Sequence, residues 1–250
     1  MNFRPIGFIL GCLVIVIGLA MTIPLAMSLL RGDGEWSGFV AAIFVAGFVG
    51  GVLVLGQWTN RIEVDRRQAF LLTSLAWTVL PIFGALPLLW SGHGLRLIDA
   101  IFESVSGLTT TGSTILVGLD SMEPSVLLWR SMLQWVGGVG IIAMGIAILP
   151  FLRVGGMQIF RMESSDQSDK VVPRADQLAL LLLGVYAGMS VLCALCYWIA
   201  GMSAFEAVNH AMTTLSTGGY STSDASMGHF DEPALHWIAT AFMLLGSLPF

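Results

Sequence analysis

The sequence predicts an all-α polytopic membrane protein in which two leading transmembrane helices precede two copies of a helix, pore-loop, helix repeat. Three observations carry that prediction. Of 250 residues, 56% are hydrophobic and only 11% charged, with a mean hydropathy of +0.83, whereas soluble domains carry about a quarter charged residues. Six apolar runs approach or exceed the roughly 20 helical residues needed to cross a hydrocarbon core of about 30 Å. Finally, polar stretches such as "GLTTTGSTIL" at 107–116 lie between apolar segments, where irregular polar backbone must be hidden in protein or line something wet.

The apolar runs fall at 6–30, 38–58, 69–90, 125–151, 178–200 and 235–250, the last cut short. The first exceeds the roughly 7–15 apolar residues of a signal peptide and no small-residue cleavage site follows it, so it reads as a retained span. Pro24, Pro81, Pro87 and Pro150 predict local bends or helix ends. Cys12, Cys193 and Cys196 all sit in apolar segments, and without a second pair or a histidine nearby the CxxC spacing reads as buried small hydrophobes. The net charge of −5 and the lack of a basic run argue against a nucleic-acid partner.

Basic residues orient the chain. With the N-terminus cytoplasmic, Arg4, Arg61, Arg66, Arg67, Arg153, Arg161, Lys170 and Arg174 lie inside and only Arg31, Arg96 and Arg130 lie outside or near the outer ends, the positive-inside pattern. Carboxylates such as Asp33, Glu35, Asp99, Glu123, Asp224 and Asp231 gather on the outer side. They are either ordinary solvated loop acids or a vestibule that concentrates cations.

Two outer connections contain amphipathic segments too short to cross, "LRLIDAIFESVSGL" at 95–108 and "SAFEAVNHAMTTL" at 203–215, which predicts re-entrant helices. A shift of 107 residues lays one over the other, carrying Asp99 onto Glu206, Ser106 onto Thr213, Leu108 onto Leu215, Thr110 onto Thr217 and Gly112 onto Gly219. Such internal repeats mark channel and transporter architectures. Each short helix runs straight into a polar turn, "TTTGST" at 109–114 and "STGGYST" at 216–222. Glycine lets successive carbonyls turn toward one axis, and rings of carbonyls replace the hydration shell of a cation in a selectivity filter. The C-terminal end of the short helix adds partial negative charge there.

The strings "SGLTTTGST", "WRSMLQWVGGVGI" at 129–141 and "STGGYST" resemble the Trk/Ktr/HKT superfamily of potassium transport proteins, whose repeats are like those of potassium channels. The resemblance covers essentially the whole chain. It implies four repeats around one pore, with Gly112 and Gly219 as filter glycines and Thr110, Thr111, Thr217 and Gly218 offering carbonyls to K⁺. It further implies the ion-translocating subunit of a Trk-type uptake system, not an enzyme and without an organic cofactor. The implied setting is the bacterial inner membrane, as a homodimer, with a ring of cytosolic nucleotide-binding subunits of TrkA type below. With two repeats and not four, the chain reads as the N-terminal half of a longer protein. Gly112→Ser is then expected to weaken K⁺ over Na⁺ discrimination while leaving the protein folded, because a side chain alters the turn locally.

The expected organisation is a two-helix membrane domain at 1–60, a first repeat at 61–152, a cytoplasmic linker at 153–175 and a second repeat at 176–250. The linker is either solvated or a docking surface. Arg130 is expected to pair with a carboxylate such as Glu103 or Asp120, since an unpaired arginine in a span is costly. Gly137, Gly138 and Gly140 are expected to permit close packing, and His210 to be buried and hydrogen-bonded. The alternative function is a secondary transporter whose polar turns form an occluded site for Na⁺ and a small solute.

Overall fold

The computed structural model describes residues 3–59, 64–148 and 175–247. Helix α1 spans Arg4–Ala20, α2 Thr22–Arg31, α3 Trp36–Gly56, α4 Arg66–Leu89, α5 Leu97–Leu108, α6 Pro124–Ile148, α7 Ala175–Ile199, α8 Ala204–Leu215 and α9 Pro233–Ser247. No strand occurs among the described residues. Five segments are long and apolar enough to cross a membrane, α1 with α2 counting as one and α9 being a shorter apolar helix. Pro150 and most of the expected linker lie outside the described residues.

The break between α1 and α2 falls at Met21. Pro24 accounts for it, because a proline ring clashes with the carbonyl four residues earlier, here that of Ala20. By contrast α4 runs through Pro81, and Pro87 lies in its last turn, so the expected bends at these prolines do not terminate the helix. Asp65 and Gln68 start α4 with reciprocal bonds of 2.8 Å, Gln68 N–H to Asp65 Oδ1 and Asp65 N–H to Gln68 Oε1, a capping box.

Helices α1 and α3 cross closely because Gly11 and Gly50 face each other. A Cβ on either would sit 2.9 Å from the other's carbonyl oxygen, so small residues let the backbones touch. The outward faces of these and the other spans are apolar, with Phe44, Leu55, Leu181 and Trp198 exposed, as a lipid-facing surface requires. Helix α6 is different. Of its most apolar window 61% is buried, against 22–33% for the other spans, which makes it the interior strut, packed on α2, α4, α5, α7 and α8.

The repeat is explicit in the backbone. Helices α5 and α8 are each 12 residues long, and the shift of 107 that aligns the sequences carries the ends of one onto the ends of the other. A 12-residue helix spans about 18 Å at 1.5 Å per residue, too little to cross, so both return from within the layer of spans.

The first three helices pack on α4 and α6, and the loop between α2 and α3 adds polar links to that packing. Asp33 accepts from the Ser28 hydroxyl, from Glu35 N–H at 3.2 Å and from Ser125 N–H of α6 at 3.4 Å. Nearby, Glu35 accepts from Gly92 N–H at 3.1 Å, and His93 Nε2 lies 2.7 Å from Glu123 Oε2. Burial pushes the Asp33 carboxyl up, but hydrogen bonds from Ser28, Ser125 and the Glu35 amide outweigh it and hold the group below its ordinary value of 3.8. The ionised link is therefore complete above that value and is lost as pH falls through the lower folded one. In thermal unfolding in detergent, Asp33→Asn should be less stable than the unsubstituted protein near neutral pH by roughly 0.3–1 kcal/mol. The gap should close below about pH 4, the ordinary aspartate range, and a gap independent of pH would contradict the ionised link.

Candidate ion-coordinating site

Each turn begins where a short helix stops, and both stop in the same way. After α5, Thr109 N–H donates to Val105 O at 2.8 Å, Thr110 N–H to Gly107 O at 2.9 Å and Thr111 N–H to Ser106 O at 3.0 Å. After α8, the same three bonds run from Ser216 N–H to Met212 O at 3.3 Å, from Thr217 N–H to Thr214 O at 3.0 Å and from Gly218 N–H to Thr213 O at 2.9 Å. The backbone then adopts an unusual alternation. Thr110 has φ of +55° and Gly112 +80°, Thr217 has +53° and Gly219 +81°, while the residues between and beside them keep negative φ.

This alternation has a geometric consequence. In an extended chain of uniform handedness successive peptides face opposite ways, and alternating the sign of φ turns consecutive carbonyls toward the same side. The conformation is open to glycine, but a β-branched threonine at positive φ is a genuine outlier. Such strain, of order 1–3 kcal/mol per residue, persists only where surroundings impose it, and it clusters at functional sites. Here it occurs twice at equivalent positions.

The two turns abut. A Cβ on Gly112 would fall on the carbonyl oxygen of Gly218, and a Cβ on Gly218 would fall on the side-chain amide of Gln134. The expectation that Gly112→Ser acts locally is therefore corrected: with φ of +80° and the second turn's carbonyl in the way, any side chain there disturbs both turns. Of the six expected site residues, Gly112 and Gly218 meet directly, while Thr111, Thr217 and Gly219 are exposed, Thr110 partly so. Outside them lies an open cleft of about 470 Å³ lined in part by Gly112, Thr114, Arg130, Gly219, Tyr220 and Asp224.

A buried ionic network holds the pair of turns. Arg130 of α6 is 1% exposed and Glu103 of α5 is fully buried, with Nη2 and Nε of the guanidinium 2.8 and 2.9 Å from Glu103 Oε1. Of the two partners expected from sequence, Glu103 is the one used. Further bonds surround the pair: Thr114 Oγ1 donates to Glu103 Oε1 at 2.9 Å, Ile115 N–H donates to Oε2 at 3.1 Å, and Arg130 donates to Thr114 Oγ1 at 3.0 Å and to the Ser221 carbonyl at 3.3 Å. The guanidinium also stacks 4.3 Å over the Tyr220 ring, whose hydroxyl donates to Glu103 O at 2.8 Å. One arginine thus grips both turns.

In the second repeat the position of Glu103 is taken by His210, and that of Thr114 by Ser221. His210 is buried, as expected, with Nδ1 2.9 Å from the Glu206 carbonyl and Nε2 3.0 Å from Ser221 Oγ. A carbonyl can only accept, so Nδ1 carries the proton and Nε2 accepts from the serine hydroxyl. Both turns are therefore tied back to their own short helix by a buried polar rung. Gly137 has a packing role: a Cβ there would fall on the carbonyl oxygen of Leu108, and Gly246 of α9 stands in the same relation to Leu215. Gly138 abuts Tyr186 and Ser216. Sequence reasoning missed these rungs, Gln134, Tyr220 and Gly246, although the same 107-residue shift pairs Glu103 with His210.

Among the outer acids, several have structural partners. Glu206 closes a capping box with Ser203 at the start of α8, Asp99 pairs with Arg96 at 2.7 Å, and Asp224 accepts from Gly118 N–H at 3.0 Å and Leu119 N–H at 3.2 Å.

Apolar spans, two re-entrant helices and two adjoining carbonyl-bearing turns define a multi-pass membrane protein of the pore-loop class. Residues 37–250 match the TrkH family, described as a cation transport protein, and the chain belongs to that family. It is 44% identical over all of its 250 residues to the Trk system potassium uptake protein TrkI of Halomonas elongata, covering 51% of that protein. It is 45% identical over 98% of its length to the Trk system potassium uptake protein TrkH of Escherichia coli K12, again covering 51%. The crystal structure of the potassium transporter TrkH from Vibrio parahaemolyticus superposes with a TM-score of 0.88 at 39% identity, over 98% of this chain and 50% of that one. The chain spans about half the length of the curated relatives it matches.

Removing one partner of a buried ion pair strands the other charge and costs about 3–5 kcal/mol, whereas replacing both by apolar residues costs far less. Arg130→Met and Glu103→Met should each lower the melting temperature sharply, and the double substitution should recover much of the loss. Additive losses in this cycle would show that the pair is not the unit that holds the turns.

Proposed function

We propose that this chain carries two of the cation-coordinating turns of a potassium uptake protein, the ion-translocating subunit of a Trk-type system, with K⁺ as the transported ion. The observation that supports it above the rest is the twofold alternation of φ at Thr110, Gly112, Thr217 and Gly219, a conformation whose strain makes sense where carbonyls must converge on a dehydrated ion. In this reading Thr110, Thr111, Thr217 and Gly218 offer carbonyls to K⁺ and Gly112 and Gly219 supply the turns. The C-terminal ends of α5 and α8 aim partial negative charge at the same place. The potassium uptake named for the relatives agrees with it, and relatives of twice the length leave room for two further turns to complete the ring.

The same reading sets the chain in the inner membrane of a bacterial cell, in keeping with its family, with the N-terminus cytoplasmic by the distribution of arginine and lysine. It divides the chain at 1–60, 61–152, 153–175 and 176–250, and gives it a second copy of itself and nucleotide-binding subunits of TrkA type as partners. An occluded Na⁺ and solute site is the weaker reading, because α4 and α6 both cross before the second repeat begins, so the repeats run in parallel, where sites formed by broken helices are typically built from inverted ones.

The test is ion uptake by the natural full-length protein in a bacterial strain lacking other potassium uptake systems. Potassium should support growth through the unsubstituted protein, and Gly112→Ala, by forcing Gly218 aside, should lower K⁺ uptake at least roughly tenfold, equivalent to about 1.4 kcal/mol. Uptake by Gly112→Ala at the unsubstituted level, with the same ion preference, would remove these turns from the ion path.

A further inference from the structure

Gln134 lies one helical turn beyond Arg130 on α6 and is fully buried, in a place where a polar side chain has to be justified. Its Oε1 accepts from Tyr220 N–H at 3.1 Å. That amide shares a planar trans peptide with the Gly219 carbonyl, and in such a peptide N–H and C=O point in opposite directions. Holding the N–H from behind therefore aims the Gly219 carbonyl away from α6. The other end of the side chain is unspent: Nε2 is buried and has no hydrogen-bond partner. It lies 2.7 Å from where a Cβ of Gly218 would stand and 3.7 Å from where a Cβ of Gly112 would stand, in the seam between the two turns.

We infer that Gln134 is a positioning residue for ion selectivity: through Tyr220 it adds the Gly219 carbonyl to those the turns offer, and its side-chain amide is a fixed spacer between the first and second turns. This rests on the reading that the turns coordinate the ion. A cation filter discriminates by how far its carbonyls stand from the ion and how readily they close in. A rigid amide wedged behind Gly112 and Gly218 opposes the collapse that a smaller ion needs. Gly218 has no side chain because Gln134 occupies that space. Gln134 serves both turns from one side: if Gly246 is the counterpart of Gly137, the corresponding position of α9 holds Met243, which is 41% exposed.

The experiment measures uptake of K⁺, Rb⁺ and Na⁺ by the natural full-length protein carrying Gln134→Glu or Gln134→Leu, with Gly112→Ala and the unsubstituted protein alongside. Gln134→Glu keeps the side chain's length and an acceptor for Tyr220 N–H, but puts an acidic carboxyl oxygen where the amide nitrogen stood between the turns. It should lower the K⁺ over Na⁺ preference by roughly fivefold or more, shifting KM for the two ions in opposite senses more than it changes maximal rate. Gln134→Leu removes the acceptor as well and should lose preference further. A wild-type ion preference in Gln134→Glu overturns the assignment even if Gln134→Leu does not fold, because the isosteric variant keeps the packing. If the unsubstituted protein takes up K⁺ selectively and Gly112→Ala is impaired while both Gln134 variants keep their preference, only Gln134 is misassigned. If Gly112→Ala is also silent, the filter reading itself has failed.

Discussion

A fully formed guanidinium and a carboxylate, 1% and 0% exposed, meet in the middle of an assembly whose outer surface is built for lipid. Burying two charges costs several kcal/mol per ion, and their attraction offsets this only if every remaining donor and acceptor is used. Arg130 and Glu103 approach that condition by drawing in Thr114, Ile115 and Ser221, with the Tyr220 ring stacked under the guanidinium. Those are residues of the two turns. The demand for satisfaction of one ion pair thus becomes the force that registers the first turn against the second, and each turn's geometry depends on the other's.

The repeats agree in backbone and differ in side chain. Helix ends, terminal hydrogen bonds and signs of φ coincide at a shift of 107 residues, while Glu103 gives way to His210 and Thr111 to Gly218. The difference follows from position. Glu103 must face the arginine of α6, whereas the same place in α8 faces Tyr197 and Phe230, where a neutral histidine with two partners is the less costly polar group. Thr111 has an exposed side chain, but Gly218 has Gln134 against it and can carry none.

Much of this was legible in the sequence. The apolar runs located every described helix that crosses, because about 20 apolar residues have few other uses. Amphipathic spacing found both short helices and the 107-residue shift paired them, and the turn residues were recognisable from hydroxyls and glycine placed after an amphipathic stretch. Arg130 announced a buried partner by its cost. What was not legible depended on contact across the fold: which acid it would choose, that Gly112 would press on the carbonyl of Gly218, and that Gln134 would stand behind both turns. A glycine looks the same in sequence whether it bends a chain, as at φ of +80°, or makes room for a carbonyl, as Gly137 does for Leu108. Only the packed structure separates the two.

The central claim is that the alternating backbone of the two turns points its carbonyls at a bound monovalent cation. Thallium substitutes for potassium and scatters anomalously, so a diffraction experiment on the natural full-length protein in a thallium salt locates such ions directly. The account predicts anomalous density beside the turns, within coordination distance of the carbonyls of Thr110, Thr111, Thr217 and Gly218. Ordered turns of the same geometry with no density there, and ions bound elsewhere along the protein, would contradict it.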